Sequence, residues 1–209
     1  MSEVVSELGY AAMTVEDIIK AAGVSRRTFY EHFANKEEAF LSAYDEAVGR
    51  LLDGVRWAYR SCDSFAARMR AALEMLVLGL SADPAFARMC VVEVTSAGTE
   101  ARLRRDATVH EFASMLDDNA RALLSEPRPR LLAEVVIGGI YDVLQGRIER
   151  DELERVPALL PALLYCLLLP YVGHPEAVAE RDRLASEGPA LDVSGLGRVA
   201  RPRADAPSG

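Results

Sequence analysis

The chain holds 209 residues, enough for one large domain or two small ones with a sizeable core. Half of the residues are hydrophobic and 27% are charged, the balance of an ordinary globular protein, and a formal net charge of −8 excludes a protein that coats nucleic acid through bulk positive charge. Cys62, Cys90 and Cys166 are isolated and odd in number, so no disulfide framework or CxxC metal pattern is present and a reducing compartment is expected.

The opening MSEVVSELGY lacks the basic region and apolar run of a signal peptide. The most apolar stretch, Leu159 to Leu169, is too short to cross a bilayer and contains Pro161. A cytoplasmic protein with no membrane partner is the expectation.

Taken in chain order, the elements read as helices. Val4, Val5 and Leu8 form a brief helical stripe that stops at Gly9. Between Thr14 and Gly23, apolar residues fall at Val15, Ile18, Ile19 and Ala22, the spacing of an amphipathic helix. Thr14 is a natural N-cap with Asp17 as a capping-box partner, and Gly23 supplies the left-handed stop. Ser25 then caps a short segment in which Phe29 and Phe33 share one face. Asn35 caps a third, longer helix, opened by Glu37 and Glu38 at its dipole-positive end, with a stripe from Phe40 to Val55.

A helix, a tight turn containing glycine and a short second helix have the layout of a helix-turn-helix, although an ordinary αα-hairpin has the same spacing. The stretch AAGVSRRTFYEHFANKEE crowds two arginines, a threonine, a tyrosine and a histidine into seven positions, with two phenylalanines set among them. The first fifty residues hold five Lys or Arg against nine Asp or Glu, and three of those five cations fall inside this stretch. Adjacent arginines opening a helix oppose its dipole, a local cost that is easier to understand if they serve binding.

The remainder is longer and more apolar. Helical stripes run from Ser64 to Ser81, from the N-cap Asp83 and Pro84 through Val94, and over residues 99 to 125. Pro127 and Pro129 break the chain before two strongly apolar segments, Arg130 to Arg150 and Leu153 to Tyr171. Beyond Gly173 the sequence turns polar and rich in Gly, Pro, Ala and Arg, ending in ARPRADAPSG, which has nothing to bury. The reading is therefore all-α. Residues 1–50 are expected to form a helix-turn-helix domain, 51–175 a helical bundle for ligand binding and dimerisation, and 176–209 a disordered tail.

TVEDIIKAAGVSRRTFYEHFANKEEAF, Thr14 to Phe40, resembles the helix-turn-helix core of the TetR family of bacterial transcriptional regulators. Its marks are the stripe of the first helix, then GVS, then T-F-Y-x-H-F, then N-K-E. The resemblance implies that the short helix, about Arg26 to Phe33, enters the major groove of double-stranded operator DNA. Arg26 and Arg27 are then the candidates for base or phosphate contact; an arginine bidentate to guanine is worth about 1–3 kcal/mol of discrimination. Thr28 would meet a thymine methyl or a phosphate. Tyr30, His32 and Lys36 would hold backbone phosphates, and Thr14 sits where a helix N-terminus favours one. Phe29 and Phe33 are expected in the core, and Glu31 outward.

The same resemblance implies a homodimer, a near-palindromic operator and a pocket for an effector. LLAEVVIGGIYDVLQGRIERDELERVPALLPALLYCLLLPYVG is similar to the last two helices through which family members pair, with Val135, Ile140, Leu144, Leu163 and Leu167 at the interface and Gly138 and Gly139 allowing close approach. Between these helices and the head, Trp57, Tyr59, Phe65, Met69, Met75, Phe86, Met89, Phe112 and Met115 offer adaptable apolar lining for a small hydrophobic or aromatic effector. Ligand binding is expected to tilt the long helix beginning near Asn35, spread the two heads and relieve repression.

One departure stands out. The family's first helix is normally longer and preceded by a basic segment, whereas eight residues precede Gly9 here. Either the natural start lies upstream of Met1, or the first helix is shortened and the chain is a ligand-binding or dimerisation protein that has lost DNA binding. An enzyme finds little support, because His32, His110 and His174 are scattered and no GxSxG, P-loop, GxGxxG or HExxH is present. No cofactor is expected.

Overall fold

A computed structural model describes residues 1–126 and 128–190. Ten α-helices follow one another: α1 Ser2–Leu8, α2 Val15–Ala22, α3 Arg26–His32, α4 Lys36–Arg60, α5 Phe65–Ala82, α6 Pro84–Val91, α7 Thr99–Leu123, α8 Arg130–Glu149, α9 Leu160–Val172 and α10 His174–Glu187. Short 3-10 turns fill the α6–α7 and α8–α9 connections, and no strand occurs among the described residues.

The helix ends form where local chemistry satisfies their free backbone groups. Thr14 and Asp17 make a reciprocal box: the Asp17 N–H donates to the Thr14 hydroxyl, and the Thr14 N–H donates to the Asp17 carboxylate at 2.8 Å. Two hydrogen bonds to Thr14 hold the Asp17 carboxyl below its ordinary value. Gly23 ends α2 at φ +66°, a left-handed conformation that a β-carbon would strain. The Ser25 hydroxyl accepts from Thr28, and the Asn35 side chain accepts from Glu38.

The head is small and leans on the body. Phe29, Tyr10, Met13 and Phe40 are buried, with the Tyr10 and Phe40 rings 5.0 Å apart, edge to face. Although α1 spans only seven residues, Val4 and Val5 are buried and the helix packs on α6. α4 is shared: its start lies in the head and its later turns enter the body against α5.

The body is a bundle in which α5 packs on α4 and α9, and α7 on α8. By length and composition, Leu153–Val172 could cross a membrane, which extends the apolar stretch beyond its expected limits. That run is interrupted by two 3-10 turns, and Leu160, Leu164, Leu168 and Tyr171 are buried within the bundle.

Residues 176–187, expected in a disordered tail, are helical. α10 is a 14-residue helix packed on α9 through Ala177 and Leu184, with too few large apolar residues to make a clear stripe. Beyond it, Glu74, buried on α5, pairs with Arg70 at 2.8 Å and accepts the Ala190 N–H at 3.0 Å, while Arg70 donates to the Gly188 carbonyl. ARPRADAPSG lies outside the described residues.

Candidate nucleic-acid interface and internal cavity

Burial of Phe29 fixes how α3 is turned. With this ring inward and 5.7 Å from the Phe33 ring, the rest of the helix faces solvent. Arg26, Arg27, Tyr30 and His32 are exposed, Thr28 is half-buried, and Thr14 is exposed at the start of α2. The turn thus brings six of the seven expected DNA-binding residues to the outside of the head. Their hydroxyls are not idle: Thr28 exchanges a hydrogen bond with Ser25 at 2.9 Å, and Thr14 donates to Asp17 at 2.6 Å.

Both arginines meet carboxylates that sequence reading left unpaired. Arg26 bridges to Glu16 across the turn, and Arg27 to Glu31 one helical turn on at 2.9 Å. All four side chains are more than half exposed, so the pairs are weak and can yield to a stronger anion. The Glu31 pairing follows the i, i+4 helix spacing and was legible; the Glu16 pairing depends on how α2 crosses α3.

Lys36 departs from its expected place as a phosphate ligand. Its ammonium turns back into the head, donating to the carbonyls of Met13 at 2.9 Å and Tyr10 at 3.0 Å, and lies 4.6 Å from the centre of the Tyr10 ring. The physical reason is that the α1–α2 loop leaves carbonyls unpaired beside the start of α4, and an ammonium satisfies several at once. Tyr10 is held from the other side as well, since its N–H donates to buried Glu93 at 2.8 Å.

In the body, α4, α5, α7 and α8, with parts of α6 and α9, enclose a cavity of about 110 Å³. Its wall is apolar except for Arg105, Thr108, Asn119, Cys90 and three tyrosine hydroxyls, those of Tyr44, Tyr59 and Tyr141. Burial pushes the Tyr44 phenol and the Cys90 thiol well above their usual ranges, and raises Tyr141 to about 12 despite the neighbouring Arg105. These groups face a ligand as neutral dipoles.

Of the nine residues expected to touch an effector, Tyr59, Met69, Phe112 and Met115 line the cavity. Trp57 does not: it sits on the outer face of α4 and is 63% exposed. Phe65 is buried elsewhere, its ring 5.3 Å from that of Tyr171, while Met89 and Phe86 belong to the packing of α6. Met75 is not in the lining and packs behind it, with Val55 and Ala58. Bulk and apolarity were legible, but which side of each helix faces the void was not.

The interface residues need a similar correction. Ile140, Leu144, Leu163 and Leu167 are buried within the protomer, and Ile140, Leu144 and Leu167 line its cavity. Only Val135 of the five is exposed, at 63%. The free apolar surface lies on the opposite faces, with Leu131, Val135 and Val143 on α8 and Cys166 and Leu169 on α9. A β-carbon at Gly138 or Gly139 would meet nothing within 4 Å, so backbone is open to approach there. Among the described residues, no group of His, Cys, Asp or Glu could hold a metal ion.

Comparison with known proteins agrees with this arrangement. Residues 2–43 match the family model of bacterial regulatory proteins, tetR family. The HTH-type transcriptional activator FasR of Mycolicibacterium smegmatis is 40% identical over 73 residues, 35% of this chain and 33% of FasR, so the match spans about a third of that relative's length. The fatty acid degradation regulator FadR of Bacillus halodurans superposes with a TM-score of 0.71 at 25% identity, covering 80% of this chain and 93% of the other. FadR of Bacillus subtilis in complex with stearoyl-CoA shares the fold, with a TM-score of 0.71 at 22% identity over 83% of this chain and 95% of that one. The outward-facing α3 anchored by Phe29 thus lies in a stretch that matches the tetR family of bacterial regulatory proteins, and the helical body around an apolar cavity has the fold of the FadR regulators.

Proposed function

We propose that the protein is a DNA-binding transcriptional regulator, acting in the cytoplasm as a homodimer on a near-palindromic operator and released from it by a hydrophobic small molecule. The observation that carries the reading is the capped α2–turn–α3 unit, which holds Arg26 and Arg27 outward while Phe29 anchors the helix from within. Two such heads, about 34–36 Å apart, would read successive major grooves, Arg26 and Arg27 meeting bases or phosphates and Thr14, Thr28, Tyr30 and His32 completing the footprint.

Pairing would use the exposed α8 and α9 faces, where Val135 and Leu131 are accessible and Gly138 and Gly139 leave room for a partner helix. The effector would occupy the cavity. At about 110 Å³ the void holds only a small part of a long apolar ligand, so binding one must move its helices. The path to the head is short. Tyr141 in the wall donates to the Val91 carbonyl at 2.8 Å, α6 leads directly to Glu93, and Glu93 grips Tyr10.

Fluorescence anisotropy with DNA from upstream of the protein's own gene, at two salt concentrations, tests the reading. Binding should weaken steeply with salt, and Arg26→Ala with Arg27→Ala should flatten that slope by about one unit for each phosphate no longer neutralised. Absence of binding at low salt, in a folded dimer, would end it.

A further inference from the structure

We propose that Arg105 forms the head-group site of the cavity, so that its ligand is an apolar-tailed monocarboxylate with the carboxylate at Arg105. This rests on the reading of the cavity as the effector site. Arg105 is the one charged side chain among the described residues lining the cavity, whose other polar groups are all neutral. The Nε–H is buried without a hydrogen-bond acceptor. Asp106 lies 3.2 Å away, but the N–H is not directed at it, and the Asp106 side chain is 60% exposed. A partly exposed pair of this kind is weak, and an anion on the cavity side would supply the acceptor that the buried Nε–H lacks.

The surroundings set an orientation. The Arg105 guanidinium lies over the Tyr141 ring, 5.2 Å from its centre, a cation–π contact that holds it against the wall. Thr108, one turn along α7, presents its hydroxyl beside that of Tyr44 at 3.3 Å. Further along the same face come Phe112, Met115 and Leu116, with no charge. The one polar group beyond them, Asn119, is already engaged by Arg68 and by the Met115 carbonyl. A polar pole therefore gives way to an apolar run along a single helix, which matches a carboxylate head followed by a hydrocarbon tail.

Calorimetric titration of the full chain with decanoate and with 1-decanol separates the possibilities. The wild type should prefer decanoate by about tenfold or more, the worth of one charge-assisted hydrogen-bonded pair. Arg105→Gln should erase the preference while retaining the alcohol, and Arg105→Lys, which keeps the cation, should restore part of it. Equal affinity of the wild type for both probes, or a preference that survives Arg105→Gln, overturns the assignment and leaves the effector cavity standing. Binding of neither probe overturns both.

Discussion

The backbone N–H of Tyr10, in the head, donates to the carboxylate of Glu93, in the body, at 2.8 Å across 83 positions of sequence. Glu93 is buried and is also met by Arg88 at 3.3 Å, while Lys36 pulls on the Tyr10 carbonyl from the start of α4. One residue thus joins the first loop, the long shared helix and the segment that follows the cavity wall.

Glu93→Ala should lower stability by about 1–3 kcal/mol, because it leaves a buried N–H without an acceptor and the Arg88 cation with one carboxylate fewer. Glu93→Gln keeps an acceptor and should cost less. In thermal denaturation the alanine variant melts first, and in the anisotropy assay its operator affinity should respond less to effector.

Glu16 and Glu31 offset Arg26 and Arg27 on the outward face of the head. Glu16→Gln and Glu31→Gln should each raise DNA affinity, by several-fold at low salt and less at high salt, because a like charge near phosphate is removed and an arginine is freed. Weaker binding by Glu31→Gln would show that the pair orders Arg27 instead.

The Thr14–Asp17 box gives the head an acid limit. Because the folded-state pKa of Asp17 lies below its ordinary 3.8, its stabilisation is present above that unfolded value and is lost as pH falls through the folded one. The hydrogen-exchange protection of the Asp17 and Ile18 amides, relative to unfolded chain at the same pH, should therefore fall in acid before the body unfolds. Thr14→Ala, which removes the side-chain half of the box, should show low protection at neutral pH too.

Val135 and Ile140 lie on opposite faces of α8, one exposed and the other buried. Val135→Glu should convert a dimer to monomer in equilibrium sedimentation with little change in protomer stability. Ile140→Ala should instead destabilise the protomer by about 2–5 kcal/mol, since it hollows a buried site.

The caps of α2, α3 and α4 were readable because each joins residues three positions apart: Thr14 with Asp17, Ser25 with Thr28, Asn35 with Glu38. So was the inward turn of Phe29, since an α3 that exposes its polar residues has one side left for the ring. Lys36 was misread because its partners, the Tyr10 and Met13 carbonyls, lie more than twenty residues away. α10 was missed because its burial comes from docking onto α9, with no strong stripe of its own.

By itself the chain determined the helices before α10, the caps of α2, α3 and α4 and the outward set on α3, all of which follow from interactions within a turn or two of backbone. Only the tertiary structure decided which face of α8 and α9 is spent inside the protomer, where the cavity opens, and that Arg105 borders it. Apolar periodicity records that a face is covered but is blind to what covers it, and a void is defined by the packing of distant helices around it.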